Sequence, residues 1–129
     1  MRIRGLVWLG TRSERFAEAV MFHRDVLGLT LAHLEPDFAV FRLPDTSLVE
    51  VFGPSSPHGK HHRGSPVAGF LVDDVEAARE ELKRKGVRLI GPIERSEDFT
   101  WQYFEGPDGN LYEVTSGPYR TSEAADPSA

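Results

Sequence analysis

SLVEVFG, residues 47–53, puts a charged residue where a buried strand should carry none. Leu48, Val49, Val51 and Phe52 form a short β-rich run, and Glu50 stands at its centre between apolar neighbours. A carboxylate in such a setting must find a cation, share a proton or face water. The arrangement returns at residues 110–116, NLYEVTS, with Glu113 in the place of Glu50. Each glutamate follows a helix-ending glycine: Glu50 comes 22 residues after Gly28, and Glu113 comes 27 residues after Gly86. An internal repeat of this length marks one supersecondary unit used twice.

Working outward from Glu50, Phe38–Leu43 and Thr30–Leu34 read as strands, separated by the turn pairs Pro36-Asp37 and Pro44-Asp45. Before them, FAEAVMFHRDVL (16–27) has helical spacing and ends at Gly28, which tolerates a left-handed cap. The first strand is IRGLVWL, residues 3–9. The second unit repeats the order. Pro66–Val72 is a strand, Asp73 or Asp74 caps the helix VEAAREELKRKG (75–86), and strands follow at Val87–Ile90, Thr100–Glu105 and Asn110–Thr115. Acids early and bases late in that helix complement its dipole and describe a solvated face. The predicted class is α+β: two tandem βαβββ units, 3–52 and 66–116, in one domain over 1–116. Neither unit alone buries both faces of its sheet, so the units should pair into a cupped, mostly antiparallel sheet with helices on the outer face. GPSSPHGKHHRGSP (53–66) has no apolar periodicity and reads as a solvated linker over 53–65; residues 117–129 read as a flexible tail.

Composition narrows the function. A net charge of −5 argues against a general nucleic-acid binder. No run of 18 apolar residues exists to span a membrane. The start shows no signal peptide, which points to the cytoplasm. Zero cysteines exclude disulfides, thiolate metal sites and a cysteine nucleophile.

Three motifs carry a resemblance. FHRDVLGLTL (22–31), GFLVDDVEAAREELKRKGV (69–87) and EGPDGNLYEV (105–114) stand in the order and spacing seen in vicinal oxygen chelate proteins. The chain therefore resembles the glyoxalase/bleomycin resistance protein/dioxygenase superfamily over residues 3 to 116. In metal-dependent members, a divalent ion is held in the cup by one residue, often His, from the first strand of each unit and one carboxylate from each last strand. Glu50 and Glu113 match the carboxylate positions. The first-strand positions fall at Leu6 or Trp8 and at Val67, none of which can ligate. Two carboxylates alone lack the imidazoles that secure Zn, Fe or Ni. The resemblance also implies a homodimer.

Strand alternation places Leu48, Glu50 and Phe52 on one face and Val49 and Val51 on the other. Leu111, Glu113 and Thr115 form the matching set, with Trp101 and Tyr103 beside them. Tyr112, Val114 and Phe104 turn to the helix, and Trp8 joins the cup if Val7 and Leu9 face the helix. Glu50 and Glu113 are the candidate catalytic acids, and the only metal ligands if a metal binds. Trp8, Phe52, Trp101 and Tyr103 are the candidate ligand walls, suited to a flat or cationic small molecule; alternatively these aromatics are core. Arg4, Arg12 or Arg42 could pair with the glutamates structurally. His58, His61 and His62 read as a solvated loop lacking the rigid support an imidazole ligand needs, the alternative being a lid that brings an imidazole to the cup. His23 reads as a helix–sheet packing residue. Three functions compete: a metal-free small-molecule binder; a metal-assisted lyase, isomerase or dioxygenase using Glu50 and Glu113; and a structural protein whose cup is filled by its own side chains.

Overall fold

A computed structural model describes residues 1–107 and 109–119; the remainder of the tail assigned to 117–129 lies outside the described residues. They fall into two compact units. The first half is Trp8–Val67; the second is Met1–Val7 together with the chain from Ala68 onward.

In the first half, β1 (Gly5–Arg12) leads to α1 (Phe16–Met21), a π-helical turn (Phe22–Val26), and β2 (Thr30–Glu35), β3 (Phe38–Arg42) and β4 (Leu48–Phe52). The strand order is β2-β3-β4-β1. β2/β3 and β3/β4 are antiparallel, and β1/β4 is parallel. Val20, Ala39, Phe41, Val49 and Val51 form the core under α1. The expected single helix over 16–27 therefore divides. Beyond Met21 the Leu27 N–H reaches back to the Phe22 carbonyl at 3.0 Å, a π-type bond. The His23 imidazole bonds the Ala19 carbonyl at 2.7 Å and stacks on Phe41, 5.6 Å between centroids. His23 is thus a packing residue. Gly28 ends the turn at φ +71°.

The second half contains β5 (Val67–Leu71), α2 (Val75–Arg84), β6 (Arg88–Ser96), β7 (Phe99–Glu105) and β8 (Leu111–Ser116), with strand order β5-β8-β7-β6. This is the same order as in the first half, again with one parallel pair and two antiparallel ones. The α+β class and the repeat both hold. Asp74 caps α2, its Oδ1 accepting the Ala77 N–H at 3.0 Å. Val75, Ala78 and Leu82 lie on one helical stripe and pack with Val72 and Val114. β6 is longer than the expected 87–90 because it passes through Gly91-Pro92 by a bulge between Ile90 and Glu94. Gln102, wholly buried, braces that bulge: its Nε2 donates to the Gly91 carbonyl at 2.9 Å, and its Oε1 accepts from Arg79.

Candidate functional site

Glu50 sits mid-strand on β4, paired with Gly10 of β1 and Val40 of β3. Val49 and Val51 belong to the core under α1. The pleat therefore turns Leu48, Glu50 and Phe52 to the opposite face. Trp8 is opposite Leu48 and Phe38 opposite Phe52, so both share that face. Glu50 is partly buried. Burial pushes its carboxyl up to about 7, and a hydrogen bond from the Trp8 side chain holds it back from rising further. A carboxyl poised there can give or take a proton at neutral pH.

The loop 53–66 closes over this face, which departs from the solvated reading of its histidines. His58 is exposed, but His62 is 3% exposed. Its ring lies edge-on to Trp8 at 5.7 Å and tilted against Phe52 at 4.9 Å. Trp8 and Phe52 lie 6.4 Å apart and are themselves 6% and 2% exposed. His58 covers Phe38 at 4.4 Å, and Phe38 stacks on Phe52 at 5.6 Å. Burial and the nearby Arg12 and His61 charges lower His62 to about 4, so its imidazole is neutral at neutral pH. Arg12 spends its guanidinium on loop carbonyls: Pro54 at 2.9 Å, Gly59 at 3.3 Å and His58 at 3.4 Å. Residue alternation could not reveal His62. Gly10 was the available signal, because glycine inside a strand often marks a close approach. A Cβ there would fall 2.7 Å from His62 Cε1 and 2.1 Å from the Trp8 ring.

In the second half, Glu113 is buried on β8 between Gly69 of β5 and Tyr103 of β7. Trp101 is opposite Thr115, hence on the same face as Glu113 and Tyr103. Tyr112 stacks with Phe70 and Phe104 on the helix side. Arg4 forms an ion pair with Asp73 at 3.3 Å.

The two registers give the first-strand neighbours of each acid. Gly10 pairs with Glu50 and Gly69 with Glu113, so Trp8 and Val67 each lie two residues before the glycine facing the acid. Leu6 is exposed. An indole N–H donates but has no lone pair for a metal, and Val67 offers no donor atom. Among the described residues, no group of three or more His, Cys, Asp or Glu is placed to hold an ion.

The sequence model of the Glyoxalase/Bleomycin resistance protein/Dioxygenase superfamily matches residues 5–114. No curated protein matches the chain. Among solved structures, a methylmalonyl-CoA epimerase from Mycobacterium tuberculosis superposes with TM-score 0.70 and 22% identity, covering 96% of this chain and 93% of that one. A methylmalonyl-CoA epimerase variant from Streptomyces coelicolor, in complex with 2-nitronate-propionyl-CoA, gives 0.69 and 17%, covering 91% and 99%. The Mn(II)-bound glyoxalase from Novosphingobium aromaticivorans gives 0.70 and 20%, covering 89% of this chain and 39% of that one. At these identities the likeness is one of fold. No helix among the described residues is long and apolar enough to cross a membrane.

Proposed function

The chain belongs to the glyoxalase/bleomycin resistance protein/dioxygenase superfamily, and we propose that within it the protein binds a small aromatic or cationic molecule without a histidine-held metal. The observation that carries this reading is Glu50, raised to about 7 and bonded to Trp8 on the face that also bears Phe52. A ring cation would stack on the aromatics and draw Glu50 into its charged form. Glu113 with Tyr103 and Trp101 is the corresponding set of the second half. Trp8 and Val67 at the two first-strand positions favour a metal-free site. The test is a tryptophan-fluorescence screen of aromatic and cationic compounds on chelator-treated protein. Saturable quenching, weakened about tenfold or more by Glu50→Gln, is expected; a tenfold loss is about 1.4 kcal/mol. Absence of quenching, or binding that requires a transition metal, would contradict the reading. The same proposal includes a single domain, homodimeric and cytoplasmic; light scattering and a single calorimetric transition check the first two points.

A second reading is favoured by the same carboxyl. A base near 7 is matched to removing a proton α to a carbonyl at neutral pH. Glu50 or Glu113 would then serve a lyase, isomerase or dioxygenase of this superfamily, and a metal-assisted version would need ligands beyond those two. The fold likeness to epimerases and a glyoxalase agrees with it. It predicts solvent-deuterium incorporation at the α-carbon of a carbonyl substrate, lost in Glu50→Gln.

A further inference from the structure

The face that carries Glu50 is already occupied in the first half by the chain's own rings. His62 rests against Trp8 and Phe52, and His58 against Phe38. The seat is shaped from both sides. Gly10 leaves room for the His62 and Trp8 rings, and Gly59, at φ +62°, leaves room for Phe52, which a Cβ would meet at 2.7 Å. Besides these ring contacts, hydrogen bonds hold the segment there. Residues 53–66 contribute no helix or strand. Arg12 clips three carbonyls, Asp37 accepts the Ser55 N–H at 2.6 Å, and within the segment the His62 N–H reaches the Gly59 carbonyl at 3.0 Å. Segments with few apolar anchors and exposed hydrogen bonds open locally, well below the cost of global unfolding. Gly59 and Gly64, both at positive φ, offer hinge points.

We propose that residues 53–65 form a self-plug: His62 holds the ring seat on Trp8 and Phe52 in the unliganded protein, and a ligand ring must displace it to bind. The inference rests on the reading of Trp8 and Phe52 as ligand walls. It adds a selection rule, since a ligand must exceed a neutral imidazole in stacking area or charge. A flat ring cation beside Glu50 does both.

The probe is 1-methylquinolinium, with binding read by tryptophan quenching and the segment followed by amide hydrogen exchange. In wild type, adding the probe should speed exchange of the amides in 53–65. His62→Ala should bind the probe about tenfold more tightly, because the displacement cost is gone. Arg12→Lys keeps the positive charge beside His62 but loses the planar fork that reaches three carbonyls, should bind about threefold more tightly, and keeps the test alive if His62→Ala does not fold. Equal or weaker binding in both variants, with segment exchange unmoved by the probe, overturns the plug alone. Binding by none of the three proteins overturns the ligand reading and the plug with it.

Discussion

The two halves share a strand order and a glutamate facing a glycine, yet they house that glutamate differently. In the first half, Glu50 is partly open and tied to Trp8, and a loop carrying His62 covers the Trp8 and Phe52 rings on the same face. In the second, Glu113 is buried beside Tyr103. Their helices differ as well. α2 has ten residues, a side-chain cap and three buried positions, whereas α1 has six, no side-chain cap and one buried position, Val20. After α1 the chain leaves Val26 71% exposed. The repeat thus fixes where an acid stands, while the helix beside it and the rings around it differ between the halves.

Truncating each helix should break or sharpen this contrast most. Leu82→Ala should cost about 2–5 kcal/mol in denaturant unfolding, the range for a fully buried leucine. Val20→Ala should cost roughly 2 kcal/mol, two lost methyl groups at about 0.8 each plus a small cavity. A larger loss at Val20 would reverse the contrast between the two helices.

The next effect is one of pH. Glu50 titrates at about 7 in the fold against 4.5 for an ordinary glutamate. The fold binds the extra proton between those values, so stability falls as pH rises through 4.5 to 7, by up to about 3 kcal/mol. His62 titrates at about 4 against 6.5. Here the unfolded chain binds the extra proton, so stability falls as pH drops from 6.5 to 4, by up to about 3 kcal/mol as well. The two slopes oppose between 4.5 and 6.5. Glu50→Gln should therefore expose stability that rises with pH up to 6.5, and His62→Phe stability that falls up to 7. Unfolding midpoints measured across pH check both; variants that keep the wild-type profile would remove the distinction between the halves. Smaller still, Asp74→Ala should cost about 1 kcal/mol by removing the α2 cap, seen as a shift in thermal midpoint. Breaking the exposed Arg95–Glu76 pair of the second half should cost under about 1 kcal/mol.

The facing of both glutamates was legible in the sequence. Alternation in SLVEVFG separates Glu50 and Phe52 from Val49 and Val51, and the same pattern orients Glu113, Trp101 and Tyr103. Asp74 and Gly86 bound α2 because capping is a local property. The rest is non-local. Gly91-Pro92 looks like a strand end, and only Gln102 from the neighbouring strand lets β6 continue through it. The π turn depends on His23 reaching Ala19 and Phe41. His62 stands among Gly, Lys, Arg and Ser, a composition that reads as solvent, and its burial comes from Trp8 and Phe52, distant in sequence.

The claim that matters most is that Glu50 is a poised acid awaiting a cationic ring. A carbon-13 NMR titration of the Glu50 carboxyl, with and without 1-methylquinolinium, tests it most directly. The account predicts a midpoint near 7 in the free protein and a downward move when the cation binds. A midpoint near 4.5, the ordinary value, that the probe leaves unchanged would contradict it.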